Sequence, residues 1–350
     1  MNLSIPLLRF FLFCSLLISI TSCKKNADPV SPPTKDSTAL HAALSDTGNN
    51  IIGATMLTSM SVGLQLNPQF KSSPPIALYS QHNVVISGLA LTNISLYNCT
   101  DITIKNCMIG PGMQLGINIQ QCSHIVVDSC YLYKVPTGVY ATDSQAISIT
   151  NCQAENMLGP FPEGQFVQFK NVTGAGNRVS FNKFQNILGE SDTEDAISMY
   201  NSNGLPDDPI VIESNWIRGG GPSLSGGGIM LGDGGGSNMI AKDNILVDPG
   251  QYGMAVSGGS YMSIINNTIY AKEQSFTNVG LYYRNYSGPP SQYIRIAKNA
   301  VNYINSKGLQ NDTYLGPGDS SPMGWTTNSY NAGLTETILP GSIVSGLIFK

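Results

Sequence analysis

Charged residues are scarce in this chain: they make up 11% of its 350 residues, whereas an average soluble domain carries about 25%. This low content excludes a charge-rich coiled coil or a long helical bundle. The net charge is −4 and the pI is near 5.3, so the chain lacks the basic face that a nucleic-acid partner requires. Histidine is also rare, with 3 residues, which argues against a His-based triad or a His-rich metal site.

Long hydrophobic runs are missing as well, and no stretch is long enough to span a bilayer. The longest run, residues 10–20, follows Arg9 and has the length of a signal-peptide core. Ile20-Thr21-Ser22-Cys23 then resembles the lipidation signal of a bacterial lipoprotein; an ordinary secretory signal with an incidental cysteine is the alternative. We therefore predict a signal peptide over 1–22, a flexible tether over 23–50 and a lipid anchor at Cys23 that holds the protein in the bacterial cell envelope.

Cysteine is present, but no CxxC motif occurs among the 7 cysteines, so a zinc site has little support. Cys14 would leave with the signal peptide and Cys23 would carry the lipid. The others are an odd number, so they cannot all pair. Their spacing of 22 or 23 residues indicates a repeat. Buried free thiols and stacked disulfides both stay open for these residues. They are Cys99, Cys107, Cys122, Cys130 and Cys152.

The chain is rich in a short repeated pattern. ITIKNCMI begins at Ile102, IVVDSCYL at Ile125 and ISITNCQA at Ile147, and similar units continue to residue 301. A short G-apolar-x-apolar strand precedes the units. Each coil would therefore contain three short strands in which apolar and polar residues alternate. This pattern predicts an all-β fold, a right-handed parallel β-helix of about ten coils with three sheets. We assign residues 51–350 to one domain that begins with a cap and ends in an irregular tail, residues 306–350.

Stacking of the coils about 4.8 Å apart should align equivalent side chains into ladders. The sixth position of the repeat unit predicts an inward ladder in which asparagine amides hydrogen-bond to one another. Its predicted members are Cys107, Cys130, Cys152, Asn182, Asn215, Asn244, Asn267 and Asn299.

The repeat resembles the right-handed β-helix superfamily of secreted polysaccharide lyases and hydrolases and of related lipoproteins. The resemblance covers most of the mature chain, and it implies a polysaccharide as the partner. It does not specify a reaction, because one fold carries many chemistries.

Aligning the first strands of the coils predicts a column of outward side chains. Lys170 should lie one coil before Tyr200, and Gly232-Asp233 one coil after it. A nearby cation favours tyrosinate, the form that acts as a general base. An ordinary surface ladder of polar and aromatic residues is the alternative. Arg284 and Tyr282 are predicted to bind substrate on a later coil, together with Asp233.

Four acids lie within six residues at 190–195, in a chain with 22 acids in all. Gly164 and Gly226 should flank Glu194 on the neighbouring coils and leave a gap beside it. Carboxylates in a gap are suitable ligands for calcium, so Asp192, Glu194 and Asp195 are predicted as a calcium site. A solvated acidic loop is the alternative.

The stretch Asp195–Tyr200 partly resembles the alginate-lyase and chondroitinase-B family, in which acidic calcium ligands precede a strand that ends in a lysine base. Here Tyr200 replaces that lysine and no arginine occurs at 231–233. The resemblance implies a lyase acting on an acidic glycan, with Tyr200 as base, Lys170 or Arg284 facing the substrate carboxylate, and Glu194 and Asp195 in the same centre. A glycoside hydrolase using residues 190–195 is one alternative. A non-catalytic glycan-binding or structural protein is another, with Tyr282, Tyr283 and Trp325 as stacking platforms.

Overall fold

The computed structural model describes residues 50–53, 70–288 and 291–345. The predicted signal peptide, the lipidation site Cys23 and nearly all of the predicted tether lie outside these residues. Within them the secondary structure is almost entirely short β-strands, because branched and aromatic residues alternate with polar ones at period 2. Two short 3₁₀ helices, Trp325–Thr327 and Glu336–Ile338, lie near the end of the chain.

The strands form three parallel stacks that we name sheets 1, 2 and 3, in the order in which the chain passes through them in each coil. Sheets 1 and 2 share the long strand Ile229–Lys242 and are therefore hydrogen-bonded into one 19-stranded sheet. The strands of sheet 1 are Ile76–Tyr79, Ile94–Tyr97, Ile117–Gln120, Val139–Thr142, Val167–Lys170, Ile197–Asn203, the first part of Ile229–Lys242, Tyr252–Val256, Val279–Tyr283 and Thr313–Leu315.

Sheet 2 follows sheet 1 in every coil, and sheet 3 has 11 strands of its own. Sheet 2 consists of Asn50–Gly53, His82–Ser87, Thr100–Lys105, Ser123–Asp128, Gln145–Thr150, Arg178–Ser180, Ile210–Glu213, the second part of Ile229–Lys242, Ser260–Ile265 and Arg295–Ala297. Sheet 3 consists of Lys71–Ser72, Leu89–Leu91, Met108–Ile109, Tyr131–Tyr133, Gln153–Glu155, Lys183–Gln185, Trp216–Arg218, Ile245–Val247, Thr268–Ala271, Ala300–Tyr303 and Ser329–Tyr330.

This arrangement confirms the predicted parallel β-helix with three sheets and about ten coils. The predicted register of sheet 1 is also correct: Val139 pairs with Ile117 and with Val167, and Ile197 pairs with Val167 and with Ile229. The aligned apolar side chains are fully buried and form one continuous core inside the coils. Their removal from water is the main favourable contribution to folding.

The inward asparagine ladder is confirmed at the corner between sheets 2 and 3. Each amide oxygen accepts the backbone N–H of the previous rung, as Asn244 Oδ1 does from Asn215 at 3.0 Å. Each amide nitrogen donates to the next rung, as Asn244 does to Asn267 Oδ1 at 3.0 Å, so the corner backbone is fully paired. The ladder continues one rung further than predicted, to Asn328, whose Oδ1 accepts from Asn299 N at 2.9 Å.

All five cysteines of the described coils are buried free thiols. Cys152 replaces asparagine in the ladder: its sulfur accepts the N–H of Cys130 at 3.4 Å, while its own N–H donates to Asn182 Oδ1 at 2.9 Å. Cys122 accepts a backbone N–H in the same way at the corner between sheets 1 and 2, where its sulfur accepts the N–H of Cys99 at 3.2 Å. The thiols are therefore ladder rungs.

The last described residues run back along the outside of sheet 3, from the final coil towards the middle of the helix. Arg218 donates to the carbonyl oxygens of Glu336 at 2.6 Å and Leu339 at 2.9 Å. Further along, Gln185 accepts the N–H of Ile343 at 2.8 Å. Leu339, Ile343 and Val344 form a small apolar cluster with Val247 of sheet 3. We call residues 331–345 the C-terminal strap.

Within the described ranges, no helix is both long and apolar enough to span a bilayer.

Candidate active site on the outer face of sheet 1

The structure places Lys170, Tyr200 and Asp233 next to one another on three successive coils. Lys170 pairs with Tyr200 and Tyr200 pairs with Asp233 in the parallel register of sheet 1. The ammonium nitrogen of Lys170 lies 5.9 Å from the centroid of the Tyr200 ring. All three side chains are partly exposed, so a ligand from solution can reach them.

Two irregularities in the strand pairing surround Tyr200. Ser198 faces Met230 and Ser202 faces Gly236, so the strand of the following coil contains two extra residues opposite Tyr200. Bulges of this kind re-aim side chains and are frequent beside active sites. The sequence placed Gly232 directly beside Tyr200; the bulge moves Asp233 into that position.

Glycine makes the bulge possible, because Gly234 adopts a positive φ of 71°. A Cβ atom at position 234 would lie 3.0 Å from Cζ of Tyr200, so the tyrosine ring packs directly on this backbone. Tyr200 is thus held between a cation on one side and a bare peptide on the other.

The acids of the cluster 190–195 separate into two groups. Glu190 and Asp192 are exposed, and Glu190 forms an ion pair with Lys134 at 3.2 Å. Glu194 and Asp195 are 3% and 2% exposed. Glu194 Oε1 accepts a hydrogen bond from Ser225 at 2.8 Å.

Asp195 is held by two donors from later coils. Its Oδ1 accepts the N–H of Gly227 at 3.1 Å and the hydroxyl of Tyr252. Burial, followed by the charges of Asp195, Glu194 and Asp233, raises the pKa of Tyr252 well above its usual value. Tyr252 therefore stays protonated and acts as a hydrogen-bond donor at neutral pH.

Gly164 and Gly226 do flank Glu194, as predicted, but the predicted gap beside it is absent. A Cβ atom at Gly164 would lie 2.6 Å from the Glu194 nitrogen, and one at Gly226 would contact the Glu194 backbone closely. The missing side chains allow three backbones to pack together, which fills the space that a gap would need.

The residues predicted as calcium ligands do not converge. Asp192 is exposed, whereas Glu194 and Asp195 are buried and bond to different partners. In the part of the chain that the structure describes, no three side chains of His, Cys, Asp or Glu come together in a way that could hold a metal ion. The described arrangement therefore does not fit a calcium ion on these three carboxylates. Calcium binding stays a prediction.

The structure also separates the residues that the sequence grouped into one catalytic centre. Asp195 lies five residues before Tyr200 in the chain, which corresponds to about 16 Å of extended strand. Lys170, Tyr200 and Asp233 lie at one end of the sheet 1 strands, and Glu194 and Asp195 lie at the other. A joint catalytic role for all of them stays a prediction.

Arg284 lies three coils after Tyr200, at the same end of the strands, within a group of tyrosines. Its Cζ is 4.9 Å from the centroid of the Tyr286 ring, and Tyr314 lies near its side chain. Tyr282 bonds to the Tyr286 hydroxyl and stacks on Tyr314, with ring centroids 5.1 Å apart. Burial lowers the pKa of Arg284, but the neighbouring Tyr314, Tyr286 and Tyr282 raise it above its usual value, so the guanidinium stays charged.

The structure rules out one of the three proposed stacking platforms, because Tyr283 is 4% exposed and lies in the core. Trp325 packs against the core on one side but is partly exposed, so its role as a platform stays a prediction. One face of Tyr282 is covered by Tyr314. Sequence reasoning missed Tyr286 and Tyr314. Tyr314 follows Tyr282 by 32 residues, a step within the range of the repeat, so extending the alignment into the tail would have found it.

The solved structures that are similar in fold include three proteins that differ from one another. The A-module of mannuronan C-5 epimerase AlgE4 from Azotobacter vinelandii is 13% identical, with 72% of this chain and 79% of that chain covered and a TM-score of 0.42. The catalytic domain of a GH87 α-1,3-glucanase in complex with tetrasaccharides is 14% identical, with 71% of this chain and 50% of that chain covered and a TM-score of 0.42. A tailspike protein of E. coli bacteriophage HK620 in complex with pentasaccharide is 10% identical, with 72% of this chain and 58% of that chain covered and a TM-score of 0.39.

No curated protein matches the chain in sequence. The family model described as right handed beta helix region matches residues 47–191 and 78–269, which together span more than half of the chain. This match agrees with the parallel coils and confirms the predicted handedness of the helix. The chain therefore belongs to the right handed beta helix region family.

Proposed function

We propose that this protein binds an acidic polysaccharide along the outer face of sheet 1 and cleaves it by β-elimination at Tyr200. The observation that carries the proposal is the position of Tyr200 between Lys170 and Asp233 on adjacent coils. A uronate substrate needs a base near its α-hydrogen and a cation near its carboxylate, and Tyr200 and Lys170 supply these two groups side by side.

The reaction uses the residues of this column. The phenolate of Tyr200 removes the proton from the carbon that bears the carboxylate, while Lys170 balances the charge that develops on that carboxylate. The released electron pair forms a carbon–carbon double bond as the neighbouring glycosidic C–O bond breaks. The leaving oxygen then takes the proton back from Tyr200. Asp233 can accept a hydrogen bond from a sugar hydroxyl and so orient the ring.

The hydrolase alternative has less support from the geometry. Of the four acids in 190–195, Glu194 and Asp195 are almost fully buried, and Asp195 binds a backbone N–H and a tyrosine hydroxyl. Glu190 is exposed but forms an ion pair with Lys134. The cluster therefore supports the local structure better than it supports an acid–base pair.

The proposed location is the bacterial cell envelope, with a lipid on Cys23 as the anchor. This proposal rests on the sequence Ile20-Thr21-Ser22-Cys23 directly after the apolar run. The polysaccharide would then meet the protein outside the cytoplasm.

The test is a Tyr200→Phe variant assayed on a panel of uronate-containing and neutral polysaccharides. Turnover should fall by about 10²–10⁴, because the ring and its packing remain while the proton acceptor is lost. Tyr79→Phe is the matched control: Tyr79 stands in the same outward column five coils earlier and is 41% exposed. It should keep wild-type turnover.

The products distinguish the alternatives. Unsaturated, ultraviolet-absorbing ends indicate a lyase, and new reducing ends without them indicate a hydrolase. Binding without any product indicates a glycan-binding protein. Near-wild-type turnover by Tyr200→Phe would remove Tyr200 as the base.

A further inference from the structure

Two of the described arginines, Arg178 and Arg218, have an anionic or carbonyl partner on the protein, whereas Arg284 has neither. Arg178 faces Asp208 at 3.5 Å, and Arg218 is bound by two carbonyl oxygens of the C-terminal strap. Among residues 70–288 and 291–345, no carboxylate lies within ion-pair distance of Arg284. Arg284 therefore forms no ion pair with the described protein.

The guanidinium is nevertheless held in a fixed position. The Tyr286 ring lies under it, with its centroid 4.9 Å from Cζ, and Tyr314 lies near it. A Cβ atom at Gly316 would lie 2.7 Å from Cγ of Arg284, so the arginine stem also packs on bare backbone. Asp319, the nearest acid in this packing, uses Oδ2 to accept the N–H of Asn285 at 3.2 Å. An immobilised, partly exposed guanidinium beside tyrosine hydroxyls is a pre-organised binding group for a planar or tetrahedral anion.

The surface between Tyr200 and Arg284 is built from small residues. Two coils lie between Tyr200 and Arg284: the first carries Asp233, and the second carries Ser257 and Gly258. The backbone N–H of Tyr286 donates to Ser257 O at 2.8 Å. Ser287 packs against Gly258. A Cβ atom added at Gly235 would lie 3.5 Å from the Cβ of Ser287. With no large side chain among these residues, an extended ligand can lie across them. The span is three coil steps, or about 14 Å.

We propose that Arg284, Tyr286 and Tyr314 form a subsite for an anionic group, a carboxylate or a sulfate, on a sugar several residues along the chain from the one held at Tyr200. This inference rests on the proposed function of the Tyr200 centre. It implies that the polysaccharide runs along the helix axis, across the strands, and that the protein prefers long chains that carry repeated negative charges.

The test measures binding, so that it does not depend on turnover. Oligouronates of increasing length are titrated against Tyr200→Phe and against the double variant with Arg284→Gln. Removal of Arg284 should weaken the binding of long chains about tenfold, as expected for one charge-assisted hydrogen-bonded contact. Chains too short to span from Tyr200 to Arg284 should bind equally to both proteins. Arg295→Gln, at an exposed arginine of sheet 2, is the matched control and should leave binding unchanged.

Two further ligands identify the anion. A sulfated glycan that lacks carboxylates should show the same loss with Arg284→Gln if the subsite accepts any anion, and no loss if it requires a carboxylate. A neutral polysaccharide should bind equally with and without Arg284. In the active protein, Arg284→Gln should raise KM for long chains more than it lowers kcat.

The outcomes separate this inference from the proposed function. If Arg284→Gln changes nothing while Tyr200→Phe abolishes turnover, the subsite is wrong and the reaction centre stands. If Tyr200→Phe keeps its turnover while Arg284→Gln still weakens long-chain binding, the reaction centre is wrong and the anion site stands. An equal loss for short and long chains, or for neutral chains, would also overturn the distal subsite. Thermal unfolding of each variant checks that the fold is intact.

Discussion

The hydroxyl of Tyr252 donates a hydrogen bond to Oδ1 of Asp195 from two coils away. Gly227 occupies the coil between them, and its N–H donates to the same oxygen at 3.1 Å. A Cβ atom at Gly227 would lie 2.7 Å from ring atoms of Tyr252, so glycine is what allows the ring to lie over this position and reach the carboxylate. Three successive coils are therefore joined through one buried acid.

Replacing Tyr252 with phenylalanine should destabilise the fold by about 1.5–3 kcal/mol, because a buried charged group loses a donor. Urea-induced unfolding measures this change. Tyr303→Phe is a matched control, since Tyr303 is also fully buried but donates to a neutral carbonyl, that of Gly250, at 2.6 Å. Loss of the Tyr303 hydrogen bond should lower the free energy of unfolding by less, about 0.5–1.5 kcal/mol. Equal stability of Tyr252→Phe and wild type would contradict the structural role of Asp195.

Stability should also depend on alkaline pH through Tyr252. Burial raises the pKa of Tyr252 in the folded protein, whereas the unfolded chain keeps the ordinary value of about 10. Below about pH 10 the folded and the unfolded protein both keep the Tyr252 proton, so the contribution of Tyr252 to stability is fully present. Above it the unfolded chain loses the proton first, so the free energy of unfolding falls by up to about 1.4 kcal/mol per pH unit. Tyr252→Phe should show a shallower decline above pH 10 than wild type.

The asparagine ladder gives a prediction about Asn244→Leu. The change removes the acceptor for Asn215 N–H and the donor to Ile212 O, which lies 3.0 Å from Asn244 Nδ2. Both groups stay buried without a partner, so the fold should lose at least about 1–3 kcal/mol. Thermal unfolding measures the loss. Asn244→Asp keeps the acceptor but not the donor and should also be destabilising. A melting temperature unaffected by Asn244→Leu would refute the importance of the ladder.

The C-terminal strap should depend on Arg218. In Arg218→Ala the carbonyl oxygens of Glu336 and Leu339 lose their donor, while the apolar contacts of Leu339 and Val247 remain. We expect faster proteolysis within residues 331–345 and a modest decrease in melting temperature. Arg178→Ala, which removes an exposed pairing with Asp208, is the control and should leave the strap protected. Equal proteolysis of the two variants would show that the strap is held by its apolar contacts alone.

The lipid anchor is tested by Cys23→Ser. The variant should move from the membrane fraction to the soluble fraction, because serine cannot carry the thioether-linked lipid. Fractionation followed by a salt wash measures the distribution. A variant that stays in the washed membrane pellet would rule out the lipoprotein interpretation.

The register of the coils could be predicted because it depends on a strictly repeated local pattern. Ile117, Val139 and Val167 were aligned from sequence and pair in that order, since a slip of one residue would turn every apolar side chain outward. The asparagine ladder followed from the same spacing. Asn328 was missed because the apolar pattern around it is lost, although its step of 29 residues from Asn299 fits the series.

The spacing of the repeat was sufficient to predict the parallel β-helix, its core, and the neighbourhood of Lys170 and Tyr200, because stacking converts equal spacing along the chain into contact in space. Other features depend on how the coils and loops pack in three dimensions. The bulge opposite Tyr200 moved Asp233 into the column, since one extra residue between the pairings of Ser198 and Tyr200 shifts the register locally. The contacts of Asp195 with Tyr252 and of Arg218 with the C-terminal strap join residues 57 and more than 100 positions apart. Such contacts depend on how glycine backbones and loops pack, which no repeat pattern encodes.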